Sequence, residues 1–312
     1  MDLMLISISF ILSCFVIIFS QKYFLNNSYV DGVNNRSSHS STATRSGGLS
    51  IFLTLFLISV YFYVKGYEIY EFSLLIPFSL LMLIGLYDDI NGVNFKLKFI
   101  FQVIAAKIII DNGLIIDNLH GFLGVYDLSR VVAQLFTIFI IVAIINSINF
   151  IDGIDGLAIS VVLFFIVMFE FFAIKQTPYL NFSVILFCSI IPLYYFNFRK
   201  KDKIFLGDSG SLFLGGVISV YVIFILSQEY IIKEEFDLNK VLFVISIMSY
   251  PIVDIIRVVF LRIINGKSPF EADKNHIHHI LLKKNHSHFI TTISIITFTV
   301  IVLFLLQLVN LL

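Results

Sequence analysis

The sequence predicts an all-α, polytopic membrane protein: about ten transmembrane helices in one domain over residues 1–312, with its functional site on one membrane face. Three observations carry this. The chain is 58% hydrophobic and only 13% charged, against about 45–50% and about 25% in soluble domains, and its mean hydropathy is +0.96. Apolar runs near the roughly 20 residues that cross about 30 Å of hydrocarbon recur along the whole length. Basic residues concentrate in alternate loops between those runs. With 21 Lys plus Arg and 21 Asp plus Glu the formal net charge is zero, which excludes a polybasic nucleic-acid binder or an acidic disordered tail. Cys14 and Cys188 lie singly inside apolar runs, without a CxxC, so neither a disulfide framework nor a thiolate metal site is expected.

In chain order the expected spans are Leu3 to Ser20, Leu49 to Val64, Phe72 to Tyr87, Phe99 to Leu114, Val131 to Ile151, Leu157 to Ile174, Asn181 to Phe198, Ser211 to Ser227, Val241 to Leu261 and Phe289 to Leu311. The first follows Asp2, with no basic flank and no small-residue cleavage site, and is read as a retained span. One set of loops holds Lys22, Arg36, Arg45, Lys96, Lys98, Arg199, Lys200, Lys201, Lys203, Arg262, Lys267, Lys274, Lys283 and Lys284; the other holds Lys65, Arg130, Lys175, Lys233 and Lys240. The positive-inside rule makes the first set cytoplasmic. An even span count then puts both termini and the acidic stretch Glu229 to Asp237 outside.

Five polar clusters fall on the cytoplasmic side of this topology. Asp31, Asn34, Arg36, Ser37, Ser38, His39 and Arg45 precede Gly47 and Gly48, and alone would suit a solvated connector. Asp88 and Asp89 end the third span, with Lys96 and Lys98 just beyond; adjacent carboxylates at a membrane boundary repel unless a cation or proton is shared. They would equally serve as a solvated helix end, and the lysines as snorkelling side chains. Asn146 and Asn149 share a helix face, and Gly153 and Gly156 let the backbone turn so that Asp152 and Asp155 address one place. Phe205-Leu206-Gly207-Asp208-Ser209-Gly210-Ser211 offers Asp208 as a helix cap or as an oxygen ligand for Mg²⁺. Ser268 to His279 brings His276, His278 and His279 beside Lys274, which suits transition-metal ligation, hydrogen bonds to a diphosphate, or a wet loop. Inside the spans, Asp254 and Arg257 at i, i+3 are expected to pair, and Lys107 and Glu170 have no role beyond facing protein or water.

Carboxylates, amides, lysines and histidines on one face, without a P-loop, suit Mg²⁺-assisted handling of phosphate, where positioning and charge neutralisation carry the chemistry. A lipid phosphate at headgroup level is then the natural acceptor and a cytosolic compound the donor. Four segments go further: GLYDD at Gly85 to Asp89, NSINFIDGIDGLA at Asn146 to Ala158, FLGDSGSLFLG at Phe205 to Gly215 and DKNHIHH at Asp273 to His279. In this order and spacing, across most of the chain, they resemble the polyprenyl-phosphate N-acetylhexosamine-1-phosphate transferases (glycosyltransferase family 4). The early DGVNNRSSHS and TRSGGLSI also look like that family's amino-terminal cytoplasmic loop. HIHH with its SPF lead-in is similar to the UDP-N-acetylglucosamine:undecaprenyl-phosphate branch rather than the peptidoglycan branch, although Lys274 stands where Arg is common and Ser46 where Gly is often found.

The resemblance implies transfer of a sugar 1-phosphate from a UDP-N-acetylhexosamine to undecaprenyl phosphate, with release of UMP, at the cytoplasmic face of a bacterial inner membrane. It implies Mg²⁺, with Mn²⁺ as a substitute, held by Asp208 and Asn149. Asp88 would act on the acceptor phosphate as base, with Asp89 in support; an aspartate acting as covalent nucleophile is the rival mechanism. Asp155 and the backbone at Gly153 would meet uracil, with Phe205 stacked on it. Lys96, Lys98, His276, His278 and His279 would neutralise the donor diphosphate, and Asn146 and Asp152 complete the substrate-binding set. Alternative readings are the same reaction with UDP-N-acetylfucosamine or UDP-N-acetylquinovosamine, and a cation-coupled transporter, which would instead gather ionisable residues near mid-bilayer. Expected partners are the UDP-sugar, the lipid phosphate, membrane lipid and a second copy in a homodimer.

Overall fold

The computed structural model describes residues 2–30, 43–199, 201–227, 229–232, 238–268, 275–285 and 287–309. The expected site positions Asp31 to His39, Lys200, Asp273 and Lys274, and the acidic positions 233–237, lie outside the described residues. Helices α1 (Asp2–Asn26), α2 (Gly47–Val64), α3 (Leu75–Asn91), α4 (Phe95–Asp111), α5 (Arg130–Ile151), α6 (Leu157–Phe172), α7 (Leu180–Asn197), α8 (Gly207–Leu226), α9 (Leu238–Ile247), α10 (Ser249–Ile264), α11 (Ile277–Asn285) and α12 (His288–Val309) make up most of it. A two-residue parallel ladder pairs β1 (Ala43–Thr44) with β2 (Lys203–Ile204).

Every apolar run expected to span is helical, but not every one as a straight rod. Among the described residues seven helices are long and apolar enough to cross a membrane, and the bent pair α9 and α10 makes an eighth if counted as one span. The ninth run is thus broken, turning by 71° between Ile247 and Ser249. α6 has only 16 residues, about 24 Å at 1.5 Å per residue. α4 carries Lys96, Lys98, Lys107 and Asp111 within 17 residues. Even so, successive runs enter and leave the same two ends in alternation. The end of α1 reaches β2, where Gln21 donates to the Asp202 carbonyl; Asp155, before α6, meets His288 at the start of α12. At the opposite end Ser59 of α2 bonds Tyr70, and Asn112 after α4 bonds Ser73.

α8 is the axis of the bundle, buried along nearly its whole length between α3, α5 and α2. Close approach explains its glycines. A Cβ on Gly48 would lie 2.0 Å from the Gly210 nitrogen, and one on Gly85 would lie 2.4 Å from the Asp208 carbonyl oxygen. Without side chains there, α2 and α3 press against the first turn of α8, the small-residue packing that membrane helices use where lipid supplies no hydrophobic drive. The carboxyl end of α3 is thereby carried onto the amino end of α8.

Candidate active site at one end of the bundle

Asp88 and Asp89 follow Gly85 by three and four residues, so the approach of α3 to α8 sets both carboxylates beside Asp208. They do different things. Asp89 has a fully buried side chain, and its two oxygens accept the backbone N–H groups of Asp208 and Ser209, each at 2.9 Å. It caps α8 from another helix, satisfying two of the amino-terminal donors that a helix leaves unpaired. Arg45, ahead of α2, stands 3.8 Å from the same carboxylate. Asp88 instead accepts the Val93 N–H at 2.5 Å and the Lys98 ammonium at 2.7 Å, and Lys98 also bonds Asp208. Lys98 therefore bridges Asp88, ten residues before it, and Asp208, 110 residues after it.

The asparagines likewise divide. Asn149 donates to the Ser211 hydroxyl at 2.8 Å, one turn into α8 from Asp208, which leaves its amide oxygen as the lone-pair atom for a ligand. Asn146, nearly buried, exchanges hydrogen bonds with the buried Gln102 of α4 at 2.7 and 3.3 Å and also donates to the Val142 carbonyl. Its amide registers α4 against α5. Asp152 caps the end of α5; burial, then the charges on Asp208 and Asp89, push its carboxyl well above the usual carboxylate range.

Asp155 sits in a second group. Lys203 forms an ion pair with it, His288 stands 3.2 Å from its carboxylate, and Thr292 donates to its carbonyl. Burial alone would raise its carboxyl, but the bonds to His288 and Lys203 outweigh burial and hold it below the ordinary value. Lys203 also stands 6.0 Å from the centroid of the Phe205 ring. Asn197 ties the turn down, accepting the Gly156 N–H and donating to the Ile204 carbonyl. Gly153 faces the histidines: a Cβ there would lie 2.5 Å from His278 Nε2 and 3.3 Å from His279.

His276 is buried, its Nδ1 2.6 Å from Asp254 and its Nε2 3.4 Å from Arg262. Asp254, His276 and His278 offer ligand atoms within 4.8 Å of one another, but the buried Arg262 cation beside His276 opposes a second cation there. The expected pair of Asp254 with Arg257 does not form. Asp254 takes His276 and the Ile277 N–H, and Arg257 donates to the Asn275 carbonyl, because bonds to the adjoining loop satisfy both charges. Lys96 is exposed, its N–H capped by Asn94. The in-span charges also find partners, Lys107 with Asp111 and Glu170 with Thr177 and Ser183. Gln102, Asn197, Tyr250 and His288 were missed because a lone polar residue in or beside an apolar run has no local pattern. Lys203 was visible only as part of a basic loop.

Four carboxylates, Asp88, Asp89, Asp152 and Asp208, thus share a small space with Lys98 and Arg45. This excess of oxygen donors over cations suits a hard divalent ion. The fold and site define a polytopic helical membrane protein with a carboxylate-rich polar centre at one end of its bundle. Residues 71–226 match the model of glycosyl transferase family 4. The chain is 33% identical over 264 residues to the undecaprenyl-phosphate alpha-N-acetylglucosaminyl 1-phosphate transferase of Haemophilus influenzae, covering 81% of this chain and 72% of that one. It is 31% identical to a probable undecaprenyl-phosphate N-acetylglucosaminyl 1-phosphate transferase of Bacillus subtilis (83% and 71% covered) and to the decaprenyl-phosphate N-acetylglucosaminephosphotransferase of Mycobacterium tuberculosis (81% and 69%). The chain belongs to glycosyl transferase family 4.

Proposed function

We propose that this protein transfers N-acetylglucosamine 1-phosphate from UDP-N-acetylglucosamine to undecaprenyl phosphate, releasing UMP and initiating a cell-surface polysaccharide. The observation that carries the reading is the Lys98 bridge between Asp88 and Asp208 beside the amino end of α8. It joins the carboxylates of two family-like motifs at a bundle end, where a lipid phosphate would meet a water-soluble donor. Relatives named as undecaprenyl-phosphate N-acetylglucosaminyl 1-phosphate transferases at 31–33% identity support the lipid phosphate and the transferred sugar phosphate. The loops at the site end hold Lys22, Arg45, Lys96, Lys98, Arg199, Lys201, Lys203, Arg262, Lys267, Lys283 and Lys284, against Lys65, Arg130, Lys175 and Lys240 at the other. That asymmetry supports a cytoplasmic site in a bacterial inner membrane. Nothing in the comparisons favours the transporter reading.

In this mechanism an oxygen of the lipid phosphate attacks the sugar-bearing phosphorus of the donor, a new P–O–P link forms, and the bond to the UMP oxygen breaks. Asp88 orients the acceptor phosphate and takes its proton where it carries one. Lys98 offsets charge on the donor diphosphate and the histidine segment offers it a hydrogen bond, while Asp155, the Gly153 turn and Phe205 receive the base. Asp208 and Asn149 would hold Mg²⁺, which supplies electrostatic stabilisation of phosphoryl oxygens. The test is membranes containing the chain, given Mg²⁺, undecaprenyl phosphate and each of several UDP-N-acetylhexosamines. UMP and a lipid-linked sugar should form most rapidly with the N-acetylglucosamine donor; absence of UMP with every donor would reject the proposal.

A further inference from the structure

α10 runs alongside the histidine segment, which is not a loop throughout but enters the first turn of α11 at Ile277, so that His278 and His279 are helical, and holds it at four points. Tyr250, Asp254, Arg257 and Arg262 lie on one side of the helix. They meet, in turn, His278 Nδ1 at 2.9 Å, His276 Nδ1 and the Ile277 N–H at 2.6 and 2.7 Å, the Asn275 carbonyl at 2.6 Å, and His276 Nε2 at 3.4 Å. Tyr250, Asp254, Arg262, His276 and His278 are all at most 5% exposed, so solvent does not substitute for these contacts.

The chemistry of the partners fixes the protons. A guanidinium only donates, so His276 Nε2 facing Arg262 must be the lone-pair nitrogen, and Nδ1–H donates to Asp254. Both nitrogens of His276 are thereby used within the protein. His278 differs: its Nε2 is buried, has no hydrogen-bond partner among the described residues, and lies where a side chain on Gly153 would be. The Tyr250 hydroxyl has His278 as its described partner. A buried O–H left without an acceptor is costly, so it donates to Nδ1 and leaves the ring proton on Nε2. Burial, then the neighbouring His279, lowers the imidazole to about 3, in keeping with a neutral ring carrying that one proton. A buried, unspent N–H facing the turn that carries Asp152 and Asp155 calls for an acceptor that arrives with a ligand.

The geometry points to Tyr250 and Asp254 as positioning residues of the transferase site: Asp254 locks His276 as a strut for the loop, and Tyr250 sets the tautomer of His278 so that its Nε2–H is presented to an oxygen of the nucleotide-sugar diphosphate. This rests on the function proposed above. Residue by residue it separates the histidines, assigning support to His276 and substrate contact to His278.

The experiment uses the full-length protein in membranes, with KM measured separately for UDP-N-acetylglucosamine and undecaprenyl phosphate. Tyr250→Phe and His278→Ala should each raise the donor KM about tenfold, the loss of one oriented hydrogen bond, and leave the lipid KM within twofold. The double variant should be no worse than His278→Ala, because Tyr250 acts through His278. Gly153→Ala, which leaves α10 untouched but crowds Nε2, should raise the donor KM in the same way. Independently of turnover, ¹⁵N-histidine NMR should report the Nε2–H tautomer for His278 in the parent protein and a mixture in Tyr250→Phe. Multiplicative losses in the double variant, an unchanged donor KM in Tyr250→Phe, or an Nδ1–H tautomer in the parent would each overturn the assignment. Should the parent transfer sugar phosphate from no donor, the proposed function fails, and the tautomer measurement alone decides the role of Tyr250.

Discussion

The carboxylate of Asp89 on α3 accepts the backbone N–H of Asp208 at the start of α8, 2.9 Å away. Neighbouring aspartates are thereby assigned to different tasks, since Asp88 points its oxygens at Lys98 and the Val93 amide. Substituting them should separate the tasks. Asp88→Asn should lose about 10²-fold or more in kcat, as for a lost transition-state charge contact, with the thermal midpoint kept. Asp89→Ala should lower stability by about 1–2 kcal/mol through loss of the cap, and activity with it. UMP release and thermal unfolding, measured together in detergent, check both; equal midpoints in the two variants would contradict the division.

Asp208 and Asn149 should reveal themselves through metal dependence. Chelation should stop turnover, with Mg²⁺ or Mn²⁺ restoring it, since the donors are oxygens. Asp208→Asn should lose about 10²-fold in kcat and need at least about tenfold more Mg²⁺ for half-maximal rate, a weakening of the size expected when one ligand charge is removed. A metal titration in which Asp208→Asn behaves like the parent would take Asp208 out of that role.

Gln102 and Asn146 offer a test by paired substitution. Gln102→Leu strands the buried Asn146 amide and should cost about 1–3 kcal/mol, and it should also reduce activity because Lys98 lies one turn away on α4. Replacing both with leucine should recover part of the stability, as neither partner is then left unpaired. A thermal midpoint lower in the double variant than in Gln102→Leu would show that the pair does not act as a unit.

Gly85 should tolerate nothing larger. Its missing Cβ leaves room for the Asp208 carbonyl, which a methyl group would approach to 2.4 Å. Gly85→Ala should push α3 from the first turn of α8, lowering thermal midpoint and turnover together while helical content by circular dichroism stays near that of the parent.

Much of the site was legible because its motifs are local. GLYDD, NSINFIDGIDG, FLGDSGS and HIHH each pack several polar residues into a short stretch beside an apolar run, which lipid would reject. Their common sidedness followed from span parity, and the bundle places Asp88, Asn149, Asp155, Asp208 and His278 at one end. The partners of those residues were not legible. Asp254 looked like the mate of Arg257 because both stand on one helix face, yet each bonds the histidine loop. Asn146 looked equivalent to Asn149, yet one meets Gln102 and the other Ser211, on helices 44 and 62 residues away.

By itself the sequence determined that the chain is a helical membrane protein with a polar face, because hydropathy and charge placement are properties of single segments and the bilayer acts on each segment alone. Only the tertiary structure decided that Asp89 caps α8 while Asp88 shares Lys98 with Asp208, and that His276 is a strut while His278 keeps a nitrogen unspent. Those outcomes depend on which helices come close enough for glycine-to-backbone contact, and hydrogen bonds reach only about 3 Å. A carboxylate or imidazole acquires its task from the donor or acceptor that packing brings within that reach.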